Sequence, residues 1–334
     1  MSDAQALSEP SGQPYGLTVP LTGLALHAQR DLIASLPELG YTDVWSAEAG
    51  GADAFTPLAL ASAWAPSLRL GTAIVPAFTR GAATIAQCAA SLADAAPGRV
   101  AIGIGSSSDI IVERWNGIAF ERPYERVRDV VRFLRVALTG QKVTQTYDTF
   151  TVDSFRLLQV PEIQPQLLIA ALRPGMLRLA GREADGAILN LLSAEDVRTV
   201  APHVHEGGAG KEIVARIFVV PSADAEVARG VARTIITGYL TVRVYRAFHE
   251  WLGRTELLNP MWRAWEAGDR RAALAAIPDE VVDALIVHGT PEQCREHVAR
   301  YVAAGVTTPM LALIPVPGEA PDATRDHIRA LAPR

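Results

Sequence analysis

The stretch Val100 to Asp109, VAIGIGSSSD, runs an apolar segment through Gly103 and Gly105 into three serines. Chemically, such a loop can receive an anion. Gly105 has no Cβ and lets the backbone approach a ligand closely, while the N–H and hydroxyl groups of Ser106 and Ser107 can donate to it. The same small residues equally suit a tight strand-to-helix turn selected for packing. A second turn of this kind is Ala171-Leu-Arg-Pro-Gly175, where Pro174 fits the first turn of a helix and Arg173 offers a counter-charge. An ordinary Pro-initiated helix with a surface arginine would look the same. Two anion-competent turns at successive strand ends, however, can grip one phosphate together.

Three carboxylates stand where proton handling is chemically sensible: Glu48, Asp109 and Glu113. A carboxylate in a semi-apolar cleft can hold its proton near neutral pH and act as acid or base. Glu48 follows a strand directly. Asp109 also has the position of a helix N-cap, and Glu113 that of a solvated helix face. Trp45, Phe78 and Trp115 can line a substrate pocket, although each residue type equally fits a core. Gly103-x-Gly105-x-x-Ser108 is only superficially a dinucleotide fingerprint. Three strand–helix units precede it, its third small residue is Ser, and no acidic strand end follows about twenty residues on. No Gly-Lys-Ser/Thr triplet exists to make a nucleotide P-loop.

The elements that must hold these residues follow from short β-rich apolar runs alternating with helical patterns. Strands are expected at 15–21, 41–48, 68–76, 98–105, 166–172, 186–192, 212–220 and 308–315. Helices are expected at 25–36, 54–65, 81–96 and 124–138, with a long helical stretch over 223–304. Residues 142–158 alternate as a hairpin around Tyr147–Thr149. Eight strands with intervening helices predict an α/β fold, a (β/α)8 TIM barrel with insertions, as one domain over 15–334 after a loose tail at 1–14. An open doubly wound sheet is the alternative. In a barrel, both small-residue turns and Glu48 fall at the carboxyl ends of strands, where such folds keep their active sites.

Composition narrows the class. Of 334 residues 49% are hydrophobic and the net charge is −5, without a long basic run, which disfavours a nucleic-acid partner. No apolar stretch approaches the ~20 residues that span a bilayer, and the N-terminus lacks signal-peptide order. Cys88 and Cys294 are far apart and the seven histidines lack metal-ligand spacing, so neither disulfide nor metal is expected, and the cytoplasm is the default location.

Taken together, GYTDVWSAE, DAFTPLALASAWAPSLRLGTAIVPAFTRGAATIAQCAASLADAAPGRVAIGIG, SSDIIVERWNGIAFERPYERVRDVVRFLRVALTG and LIAALRPGMLRLAGREADGAILNLL resemble the bacterial luciferase-like superfamily, in its coenzyme F420-dependent branch. The ending IPDEVVDALIVHGTPEQCREHVARYVAAGVTTPMLALIP is similar too. The resemblance spans about residues 15 to 316. It implies a barrel with a deazaflavin across its carboxyl end and a non-proline cis peptide between Ala73 and Ile74 on the third strand. It implies a cofactor phosphate held at Gly105, Ser106 and Ser107 and around Leu172–Gly175, with Asn190 near the cofactor tail and Glu48 near the ring. It also implies a homo-oligomer, dimer or tetramer.

Two departures are informative. The family order Gly-Pro-Arg after the fifth strand is here Arg173-Pro174-Gly175. The branch's sugar-phosphate dehydrogenases resemble this chain less, because Ala49 stands where they have His, and Ser108-Asp109 where they have Glu. Three functions compete: an F420-dependent oxidoreductase passing hydride to or from a small, fairly apolar molecule, an FMNH2-dependent monooxygenase using FMN, and a barrel that binds cofactor without chemistry.

Overall fold

In the computed structural model, which describes residues 12–320 and 322–333, the apolar runs form strands in the expected places. These are β1 (Gly16–Thr18), β2 (Asp43–Ser46), β3 (Arg69–Pro76), β4 (Val100–Gly105), β5 (Val143–Thr146) and β6 (Thr151–Phe155). They continue as β7 (Gln166–Ala170), β8 (Gly186–Asn190), β9 (Glu212–Val220), β10 (Val287–His288) and β11 (Thr308–Leu313). The sheet runs β9-β11-β1-β2-β3-β4-β7-β8, and β8 pairs back onto β9. That last pairing closes an eight-stranded parallel barrel and rules out the open sheet. β10 adds only to the end of β9, and β5–β6 is the expected antiparallel hairpin, lying off the barrel. Its Tyr147, Phe150 and Phe155 pack around Phe133 of the helix Pro123–Ala137.

Strand alternation fills the barrel in layers. Along β9, Ile213, Ala215 and Ile217 join the helix-facing core while Val214 joins the interior group of Trp45, Ala101, Leu168, Ile188 and Met310. Below that layer Arg69 closes the bottom: its guanidinium meets both Glu212 carboxylate oxygens at 2.7 Å and Asp43 at 3.2 Å. Thr308 donates to the same Glu212 at 2.7 Å.

Trp45 corrects one expectation. Rather than lining a pocket at the mouth, it is fully buried inside the barrel. The reason is register: Trp45 lies directly opposite Gly71, where a Cβ would stand 2.0 Å from the indole. The indole takes the space that two missing side chains leave, at Gly71 and at Gly16, and the Arg69 guanidinium lies 5.2 Å from its centre.

The expected helical stretch over 223–304 is broken into shorter pieces. Ala225–Leu240, Arg243–Trp251 and Thr255–Glu266 are followed by Arg270–Ala275, Asp279–Leu285 and, after β10, Pro291–Ala303. Gly253 and Gly268, both left-handed, end two of these helices as C-terminal caps. Together the pieces build a second apolar cluster over Phe218, including Ile236, Leu240, Leu258 and Trp262. Among the described residues no helix is long and apolar enough to cross a membrane. Most of the expected N-terminal tail, residues 1–11, lies outside the described residues; Gln13 donates to the Thr307 carbonyl.

Candidate active site

The carboxyl ends of β2, β3, β4 and β7 bring most of the candidate residues to one end of the barrel. In β3 the pairing with β4 slips between Thr72 and Val75, and the peptide between Ala73 and Ile74 inside that slip is cis. Both residues are half-buried and pack on the interior cluster from above. The Ile74 carbonyl accepts the amide of Glu48 at 3.1 Å, which ties the end of β2 to the slipped strand.

Gly105 ends β4 beside Ala170, the last residue of β7. A Cβ on Gly105 would stand 3.0 Å from Ala170 Cβ and 3.0 Å from Ile74 Cγ1, so the missing side chain lets three strand tips meet closely here. The chain then turns through half-buried Ser106, Ser107 and Ser108, with Ser107 left-handed at φ 63°. Among the described residues the amides of these three serines have no hydrogen-bond acceptor. On the neighbouring tip, the helix Pro174–Glu183 starts with Pro174 in its first turn, and its first backbone bond runs from Leu177 to Arg173. The Gly175 and Met176 amides therefore lie free at a helix N-terminus. Gly175 faces open space, Leu172 packs on the core, and exposed Arg173 pairs with no acid among the described residues. Two sets of free amides thus stand at the ends of adjacent strands, an arrangement suited to a phosphate.

The three carboxylates have separate fates. Both Glu48 oxygens are held by Arg80, with Nε at 3.1 and 2.9 Å and Nη2 at 2.8 Å. Arg80 also reaches Asp53 at 3.5 Å and lies over the Phe55 ring. This ion pair holds Arg80 charged more firmly than usual, chiefly through its hydrogen bonds to Glu48. Glu113 is exposed, not in the cleft, and accepts the Phe120 amide at 3.1 Å. It sits on the single wide turn of π-helix Ile110–Trp115, which points it toward the loop that follows. Asp109 is half-buried and its carboxylate makes no hydrogen bond or ion pair among the described residues. The cap expected of it is supplied by Ser108, whose hydroxyl accepts the Ile111 amide at 3.4 Å.

Phe78 is nearly buried, tilted against Phe120 at 5.1 Å and under the Arg126 guanidinium. Trp115 is 59% exposed, and its six-membered ring lies over Gly50 beyond β2. On the far wall Asn190 donates to the Tyr245 hydroxyl at 2.6 Å, and its Oδ1 is buried without a partner. Burial also raises the Tyr245 hydroxyl well above its usual range, so it stays protonated.

Sequence reading missed Arg80 and Arg216. Arg80 is 32 positions from Glu48, with no local spacing to join them. Arg216 is the lone charge within IVARIFVV, a signal that a strand buried on both faces should have raised.

Residues 7–308 match the luciferase-like monooxygenase family. The chain belongs to that family. Within it, a 5,10-methylenetetrahydromethanopterin reductase from Methanolobus tindarius is 25% identical over 285 residues, covering 80% of this chain and 84% of the relative. The coenzyme F420-dependent tetrahydromethanopterin reductase of Methanopyrus kandleri superposes with a TM-score of 0.78 at 19% identity, over 96% of this chain and 97% of that one. An F420-dependent secondary alcohol dehydrogenase, solved with an F420–acetone adduct, superposes at 0.74 with 18% identity, over 96% and 99%. Both superpositions place this luciferase-like chain in their barrel fold.

Proposed function

We propose that this protein is an F420-dependent oxidoreductase, passing a hydride between the deazaflavin and a small, mainly apolar organic substrate. The observation that carries this reading is the pair of adjoining strand tips whose backbone amides meet no acceptor among the described residues. A cofactor phosphate would be held there by Ser106, Ser107, Gly175 and their neighbours, with Arg173 as counter-charge. The fit is supported by Gly105, where a Cβ would crowd Ala170 and Ile74 at 3.0 Å, and by the open space over Gly175. The half-buried backbone at Ala73 and Ile74 would support the ring. Asn190, with its unpartnered buried Oδ1, offers an acceptor on the opposite wall.

Once bound, the deazaflavin supplies hydride chemistry at its C5. The chain has three tasks beside it. Phe78 and Trp115 wall the cleft and exclude water. Asp109, without a partner among the described residues, would give a proton to a substrate oxygen or take one from it while the adjoining carbon gains or loses the hydride. Glu48, clamped by Arg80, fixes the floor through its backbone bond to Ile74.

The experiment is a titration of purified protein with F420 and with FMN, followed by calorimetry. Tighter binding of F420, by about tenfold or more, supports the reading; one order is about 1.4 kcal/mol. Preferential binding of FMN would turn it toward the monooxygenases, and binding of neither would end it.

A further inference from the structure

β8 and β9 carry a polar cluster that neither the phosphate clamp nor the three carboxylates use. Asn190 and Arg216 are direct register partners. Each follows an interior residue, Ile188 or Val214, by two positions, so both side chains enter the barrel one layer above the buried plug. Arg216 Nη1 donates to the Tyr239 hydroxyl at 3.1 Å, and the guanidinium lies 4.8 Å from the Phe218 ring centre. The Tyr239 and Tyr245 rings meet edge to face at 4.9 Å. Arg216 Nε is inaccessible and has no partner, like Asn190 Oδ1.

Arg216 forms no ion pair with a carboxylate among the described residues. Arg69 also enters the barrel, at the opposite end, and there Asp43 and Glu212 neutralise it. A half-buried cation without a counter-charge is costly, because one tyrosine hydroxyl and one ring replace lost hydration without neutralising the charge. The fold thus neutralises the arginine at the sealed end and leaves bare the one at the open end.

We propose that Arg216 is the counter-charge for a carboxylate on the substrate, with Tyr239 and Tyr245 covering the apolar part next to it and buried Phe218 backing the guanidinium. The substrate class is then a small carboxylate with a planar or apolar body. This inference rests on the reading of the barrel mouth as the substrate site. The cofactor's own anionic tail is the other source of the same chemistry, and the test separates the two.

Wild type, Arg216→Lys and Arg216→Gln are titrated calorimetrically with benzoate, with methyl benzoate and with F420, after thermal melts establish that each variant folds. Benzoate is expected to bind wild type, about tenfold more weakly in Arg216→Lys, and about a hundredfold more weakly or not at all in Arg216→Gln. Methyl benzoate should bind weakly and equally in all three, and F420 affinity should not change. No binding of benzoate to wild type, equal binding in all three proteins, or no preference for the acid over its ester would overturn the proposal. So would a loss of F420 affinity with benzoate unaffected, which would assign Arg216 to the cofactor. If Arg216→Gln fails to fold, Arg216→Lys and Tyr239→Phe carry the comparison, with unchanged benzoate affinity in both overturning it. Wild type that binds benzoate through Arg216 but not F420 would remove the cofactor reading and leave this site standing.

Discussion

Glu48 and Arg80, 32 residues apart in the chain, form a two-point ion pair that joins the end of β2 to the start of the helix Ala82–Ala95. Their side chains are 19% and 23% exposed, so the pair is mostly withdrawn from water. Removing one partner leaves the other partly buried and unanswered. Arg80→Gln should therefore cost about 1–3 kcal/mol and Glu48→Gln about 1 kcal/mol. Urea unfolding of both single variants and the double variant measures the coupling; additive losses would show an independent pair of surface charges.

The two glycines of the proposed clamp should behave oppositely. Gly105→Ala pushes a methyl against Ala170 and Ile74 at 3.0 Å, an overpacking worth about 1–3 kcal/mol of stability. Gly175→Ala meets nothing within 4 Å and should leave thermal stability within about 0.5 kcal/mol of wild type. Its methyl would nevertheless cover the free amides, so F420 affinity should fall. Unchanged affinity in Gly175→Ala would remove the second jaw of the clamp.

The proton role proposed for Asp109 would separate it from its neighbours. Asp109→Asn should lower kcat by about 10²-fold or more with F420 affinity intact, the usual scale for losing a positioned acid or base. Glu113→Gln should leave kcat within about twofold, because that carboxylate is exposed and engaged with the Phe120 amide. Equal losses in both would mean that the loop's fold, not one carboxylate, is being read.

Two histidines set an acid limit on stability. Burial pushes His249 down to about 4, assisted by the nearby Arg254 charge, and pushes His297 down to about 4, assisted by Arg300. An unfolded histidine titrates near ~6.5. As pH falls below that value the unfolded chain takes up protons that the folded chain refuses. Stability should therefore be full above about pH 6.5 and fall progressively toward pH 4, by up to about 3 kcal/mol per histidine. His297→Gln should flatten this slope in urea midpoints measured between pH 7.5 and 5. An unchanged slope would assign the acid sensitivity to other groups.

How much was legible in the sequence differs between fold and site. GRVAIGIG, QLLIAAL and EIVARIFVV are continuous apolar runs bounded by turns, and strands buried on both faces leave that mark locally. The turns at Ser106–Ser108 and Pro174–Gly175 were readable for the same reason, since small residues and proline act on their own backbone. Trp45 was not, because the space it fills is made by Gly71 on the next strand and Gly16 on the previous one. Asp109 carried the mark of an N-cap, yet Ser108 performs that role one position earlier.

From the sequence alone came the eight barrel strands in chain order, though not the short β10 inside the stretch read as helical, and the positions where backbone amides would be left over. These depend on periodicity and turn chemistry within a few residues. Only the closed barrel decided that Glu48 is held by Arg80, that Arg69 is neutralised while Arg216 is not, and that Trp45 points into the core. Charges and large rings find partners across strands through register, and register links residues that the chain keeps far apart.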